Sequence, residues 1–229
     1  MKPTYLLGDH HGDYEGLFEK LQERQIRNAT VIHVGDGEEG YPGWNMATAE
    51  AFNTRFAALG IEYLSIRGNH SNPHVFVGST MLPNFKLLAD YTRREINGQS
   101  WLFVGGAVSV NRIDRTAGKT WWPEEAFEFR PELARPADVL VTHSGPSWIG
   151  PSCRNPFVDS YCCAEAEFGR ETLIQELRAE RKAHENLFRA VKPRTWFFGH
   201  FHERAEKTRS GCRTRILDCH ELVLHVSNL

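Results

Sequence analysis

Histidines and carboxylates are the side chains that hold divalent cations, and five short segments of this chain set them close to glycine. The segments are Gly8-Asp9-His10-His11-Gly12, Gly35-Asp36, Gly68-Asn69-His70, Thr142-His143-Ser144-Gly145-Pro146 and Gly199-His200-Phe201-His202. A bridged pair of divalent metals needs a carboxylate with two usable oxygens between them, imidazoles or further oxygens for the remaining positions, and open positions for water and substrate. The five segments supply that inventory. Each follows an apolar run that reads as a buried strand, at 4–7, 31–34, 63–66, 139–141 and 196–198. The polar groups therefore fall on loops at strand ends, where α/β proteins build sites.

The elements that must position these loops alternate in the first third of the chain. The pattern predicts a strand to Leu7, a helix over 14–24, a strand at 30–35, a helix over 48–59 and a strand at 61–66, which is βαβ logic. Further on, apolar runs at 85–88, 94–96 and 100–104 with Asn97-Gly98 predict an antiparallel hairpin turning at Asn-Gly. Phe168, Leu173, Leu177, Leu187, Phe188 and Val191 fall on helical spacing with dense charge between them, so 165–191 reads as one amphipathic helix, broken near Gly169. Segments 214–217 and 222–226 have strand composition. Periodicity alone gives a mixed α/β protein.

At 229 residues the chain suits one well-buried domain, 1–229, rather than two. A hydrophobic fraction of 41% and a charged fraction of 24% are ordinary for a globular protein, and no apolar run approaches the ~20 residues of a membrane span. With no signal-peptide pattern at the N-terminus, a cytoplasmic location is expected. The net charge of -2 leaves no electrostatic footprint for nucleic-acid binding. Five cysteines, none in a C-x-x-C spacing, indicate reduced structural thiols rather than a disulfide framework or zinc ribbon.

Taken in order, the D-x-H-G, G-D, G-N-H, lone His and G-H-x-H pieces, from Asp9 to His202, resemble the calcineurin-like metallophosphoesterases. The resemblance implies a four-layer αββα sandwich of two mixed β-sheets flanked by helices. It implies that Asp9, His11 and His202 hold one metal, that Asn69, His143 and His200 hold the other, and that Asp36 bridges them. The cofactors would be two divalent ions (Mn, Fe or Zn, with Mn favoured) roughly 3.5–4 Å apart. A hydroxide held between two such cations attacks phosphorus, so no protein nucleophile is required. His70 stands at the family's general acid position, a task suited to imidazole because its pKa lies near working pH.

Two positions depart from the family pattern: Ser71 follows G-N-H where an acidic residue is usual, and Glu39 stands three positions beyond Asp36 where an Asp is usual. Glu39 is expected to orient His70 through its longer arm. Arg67 gives the R-G-N-H form of the phosphoprotein-phosphatase branch, in which the arginine binds the phosphoryl group through its guanidinium fork. The 105–125 segment resembles small bacterial and phage members. There Arg112 and Arg115 are candidates to clamp a substrate anion and Trp121 to line the pocket. The alternative is a long hairpin loop whose tryptophans pack and whose Pro123-Glu124-Glu125 starts a helix. Histidines outside the motifs read as structural, with His33 a candidate supporter of the ligands.

The function expected is metal-dependent phosphoester hydrolysis, with a phosphorylated small molecule or phosphoprotein as a monoester substrate. The alternative is a phosphodiesterase or nucleotide pyrophosphohydrolase on the same dinuclear site. A non-catalytic interaction module fits less well, because it has no need of seven ligands and an acid histidine. Neither a dedicated nucleic-acid-binding region nor a membrane segment is expected, and the sequence sets no oligomeric state.

Overall fold

Alternation with period two runs along the central strands and sets the order of the layers. The computed structural model describes residues 2–77 and 82–226. Its elements are β1 (Thr4–Leu7), α1 (Tyr14–Glu23), β2 (Thr30–His33), α2 (Met46–Ala58), β3 (Glu62–Ser65), β4 (Phe85–Leu87), β5 (Thr92–Ile96), β6 (Gln99–Val104), β7 (Val139–Thr142), α3 (Pro156–Glu167), α4 (Leu173–Val191), β8 (Thr195–Phe198), β9 (Ala205–Arg209), β10 (Cys212–Ile216) and β11 (Leu222–His225). One sheet has the order β11-β1-β2-β3-β4 and the other β5-β6-β7-β8-β10-β9.

Leu6, Ile32, Leu64, Phe103, Val141 and Phe197 share the core between the sheets. Their neighbours Leu7, Val31 and Tyr63 face outward against α1 and α2, while Leu102, Leu140, Trp196 and Phe198 face outward against α4. Strands buried on both faces read as continuous apolar runs, which is why 31–34, 139–141 and 196–198 show no polar alternation. The result is the four-layer αββα sandwich of two mixed sheets.

Strands β1 to β4 run parallel, as do β6, β7, β8 and β10. Their carboxyl ends therefore gather the motif loops on one edge. Strand β11 closes the first sheet antiparallel to β1, while β5 and β9 pair antiparallel at the margins of the second.

The β5–β6 hairpin turns at Asn97 and Gly98, both at positive φ (52° and 77°), the geometry of a two-residue hairpin turn. The 85–87 strand joins the other sheet, beside β3. The expected helix over 165–191 is two helices, α3 and α4, separated at Gly169 (φ 72°). Helix α3 begins well upstream, where the Asn155 side chain accepts from Val158 N at 3.0 Å and Pro156 fills the first turn. Pro123-Glu124-Glu125 forms only a single 3-10 turn, because Ala126 is extended and donates nothing onward. Among the described residues no helix is long and apolar enough to cross a membrane.

Candidate metal centre

The loops after β1, β2, β3, β7 and β8 bring all seven expected ligands to one place. Asp36 Oδ1 accepts from His70 N at 2.7 Å and lies 3.2 Å from His143 Nε2. Asn69 Oδ1 stands 3.0 Å from His143 Nε2 and 2.8 Å from His200 Nδ1. On the other side His11 Nε2 and His202 Nε2 are 3.0 Å apart, and His202 Nε2 is 3.4 Å from Asp9 Oδ2. Ligand atoms of Asp9, His11, Asp36 and His202 all fall within 4.8 Å of one another. Asp36 thus touches both groups.

The backbone is bent to achieve this. His11, Asp36, His200 and His202 all have positive φ, from 45° to 69°, a region that costs non-glycine residues about 1–2 kcal/mol each. Such clustering marks a functional constraint. Glycine permits the close packing behind the carboxylates: a Cβ on Gly68 would sit 2.0 Å from Asp36 Oδ1, and one on Gly199 would sit 2.0 Å from Asp9 Oδ1. Either substitution would displace a carboxylate.

Electrostatically the cluster asks for positive charge. Asp9 is 1% exposed and its Oδ1 has no hydrogen-bond partner. A buried orphan carboxylate oxygen beside imidazole nitrogens fits a divalent cation. Burial disfavours the charged form of Asp36, but His143 and His70 outweigh it and hold the carboxyl well below the usual range. Burial works against the His143 cation as well, yet the adjacent Asp36 pushes its pKa up to about 9. Burial keeps His200 neutral, its pKa well below the ordinary value. His143 Nδ1 is held by Val34 O at 2.8 Å, which turns Nε2 toward the centre.

The other expected site residues divide. His70 lies at the centre, its ring edge-on to His11 at 4.8 Å, and burial lowers its pKa to about 4. Arg115 reaches it: Nη2 donates to His70 Nε2 and Nη1 to Asn69 O at 2.8 Å. Glu39 does not meet His70. Its buried carboxylate accepts instead from Tyr14 Oη (3.2 Å), Ser65 Oγ (2.9 Å) and Ser71 Oγ (2.8 Å), and burial raises its pKa. Ser71 thus fills the place of the missing acidic residue with a donor that Glu39 needs.

The guanidinium of Arg67 is likewise engaged elsewhere. Its five donors are taken by Asp90 Oδ2 (3.0 and 2.7 Å) and by the carbonyls of Glu124, Glu125 and Ala126 (3.1, 2.6 and 3.1 Å). The guanidinium fork pins the 105–126 segment rather than a phosphoryl group. Arg112 is paired with Glu165 and Glu176, with Nη2 2.9 Å from Glu165 Oε2, and so ties the same segment to α3 and α4. Beside the centre lies a cleft of about 370 Å³ whose walls include Asn111, Arg115, Phe157, Val158, Leu177 and Phe201. Trp121 is not among its lining residues, and Trp122 is buried against Tyr41. His33 stacks on His10 and bonds Ser65 Oγ at 3.0 Å, off the ligands.

Three residues at the centre escaped the motif reading. Glu38 stands with His11 and His70, and Cys219 with His11 and His202, each as a set of potential donors. Ser109 Oγ accepts from Asn69 Nδ2 at 3.1 Å. Glu38 was within reach of the sequence, two positions after Asp36. Cys219 follows β10, a strand the sequence did show, but it stands in no glycine–histidine pattern that would mark it.

The chain belongs to the calcineurin-like phosphoesterases, whose family model matches residues 2–204. Among solved structures it is similar to a protein assigned as a 5'-nucleotidase from Staphylococcus aureus, in complex with alpha-ketoglutarate. The identity is 13% and the TM-score 0.50, over 95% of this chain and 48% of that one. A 5'-nucleotidase precursor from Thermus thermophilus aligns at 13% identity and TM-score 0.45, over 96% of this chain and 49% of that one. The phosphopantetheinyl hydrolase of Mycobacterium tuberculosis aligns at 12% identity and TM-score 0.45, over 95% and 90%. The chain thus spans about half the length of the nucleotidases. No curated protein matches it.

Proposed function

We propose that the chain is a phosphomonoesterase working on a pair of divalent cations, with a phosphorylated small molecule as substrate. Asp9, His11 and His202 would hold one cation and Asn69, His143 and His200 the other, with Asp36 shared. Bound there, two cations neutralise phosphoryl charge and lower the pKa of water far enough for attack near neutral pH. The chain's own groups do the rest. His70 is the side chain placed to give the leaving oxygen its proton, once a phosphoryl dianion has drawn off the Arg115 donors and its negative charge has raised the imidazole from a pKa of about 4 so that Nε2 takes up a proton from solvent.

The observation that carries the monoester preference is Arg115, a guanidinium on the cleft wall beside Asn69 and His70. A monoester dianion bears one more negative charge than a diester, and a forked cation at the rim rewards that difference. The apolar wall of Phe157, Val158 and Leu177 favours a second reading, a diester with an organic arm on each side. Initial rates on p-nitrophenyl phosphate and its bis ester, with metal-reconstituted protein, separate the two. The monoester should have the higher kcat/KM, and Arg115→Ala should lower it roughly tenfold or more while affecting the diester less. A faster diester reaction that Arg115→Ala leaves unchanged would replace this reading with the second.

A further inference from the structure

Cys219 has no part in the ligand set above, yet its Sγ lies within 4.8 Å of a ring nitrogen of both His11 and His202, whose Nε2 atoms are 3.0 Å apart. His11 and His202 also belong to the group formed with Asp9 and Asp36, so the sulfur and the carboxylates share the same two imidazoles. The loop bearing it is fastened. Cys219 N donates to Asp218 Oδ1 at 2.8 Å, His220 N to Asp9 O at 2.8 Å, and Gly8 N to Glu221 O at 2.9 Å. A second, independent sign of a cation here is the buried Asp9 Oδ1 without a partner.

We infer that Cys219, with His11 and His202, forms an N,N,S position for a thiophilic divalent cation of the zinc class. The inference rests on reading His11 and His202 as ligands and deepens it by naming the metal they select. Thiolate and imidazole together favour zinc or cobalt, whereas carboxylate and water suit manganese and magnesium. The first cation is therefore expected to be zinc-like rather than manganese, while the Asn69 position stays open to harder ions. The thiol proton passes to solvent as the cation binds.

The full chain, stripped with chelator and titrated with Co²⁺, tests this without recourse to activity. Thiolate ligation gives a sulfur-to-cobalt charge-transfer absorption in the near ultraviolet, separate from the visible bands of nitrogen and oxygen ligation. Wild type should show it. Cys219→Ser and Cys219→Ala should lose it while keeping visible bands, and their zinc affinity should fall roughly tenfold or more relative to manganese. Asp36→Asn should drop cobalt stoichiometry from two to one and keep the charge-transfer band. Two cobalt ions bound to wild type with no such band would overturn the thiolate position and leave the paired centre standing. The band with a single ion would do the reverse. Its persistence in both Cys219 variants would assign it to another cysteine and overturn the inference.

Discussion

Asn69 is the candidate ligand that depends most on a neighbour, because a carboxamide presents either an acceptor or a donor to the centre according to which way it is turned. Its Nδ2 donates to Ser109 Oγ, which leaves Oδ1 facing His143 and His200. Ser109 is in turn held through its backbone N by Glu125 Oε1 at 3.1 Å, a carboxyl that burial pushes up to about 7. Ser109→Ala removes the acceptor and lets the amide turn over. Affinity for the second cation should fall roughly 10–100-fold, with the first unaffected. Titration with zinc followed by calorimetry would resolve the two steps, and two unchanged steps would show that the histidine rings alone fix the amide. The motifs made Asn69 legible but hid Ser109, because a hydrogen bond across 40 residues leaves no local pattern. Glu39 and Arg67 illustrate the converse. Adjacency to a motif places a residue near the centre but does not set the direction of its side chain, and here buried hydroxyls and loop carbonyls claimed both.

At the scale of elements, the 105–126 segment carries Arg115 and Ser109 and has almost no regular structure of its own. Ion pairs hold it in place. The Arg67 guanidinium holds its far end through the Glu125 and Ala126 carbonyls and the Arg67 carbonyl accepts from Gly106 N at 2.9 Å at its start, while Arg112 joins it to α3 through Glu165, whose side chain has no exposure, and to α4 through Glu176, which is 37% exposed. Breaking a buried pair from one side leaves an uncompensated charge, at a cost of about 3–5 kcal/mol. Arg112→Ala should therefore lower the unfolding free energy in urea by about that amount, and Arg112→Leu with Glu165→Leu should recover most of it. If the double variant is no more stable than the single, the pair is not what secures the segment. Sequence patterns caught the helices and strands of the first third, where each cap and apolar run is local. They missed β9, whose Ala-Glu-Lys-Thr-Arg composition is that of an exposed edge strand, and the upstream half of α3, whose Asn155-Pro156 start is a legible signal followed by few buried residues. The role of the 105–126 segment was not legible, since its partners lie on helices some 50 residues further along.

For the whole molecule, the centre is a seam between two sheets. Asp9, His11, Asp36 and Asn69 come from loops of the first sheet, and His143, His200 and His202 from loops of the second. Cations that take donors from both sheets bind only when the sheets are correctly apposed, so their binding free energy adds to folding. At free metal near 100 times the dissociation constant, one site contributes about 2.7 kcal/mol. For a chain of this size each kcal/mol raises the melting temperature by roughly 2–4 °C. Reconstitution of chelator-treated protein should then raise Tm by roughly 5–10 °C per occupied site. Asp36→Asn removes the one carboxylate common to both groups and should lose more than half of the shift, measured against its own apo form, which is itself weakened by loss of the Asp36–His143 pair. Differential scanning calorimetry with and without excess zinc or manganese checks this. A Tm that is independent of metal in the wild-type protein would mean that the two sheets are already locked by the apolar layer of Leu6, Ile32, Phe103 and Val141, with the centre bound too weakly to report on folding.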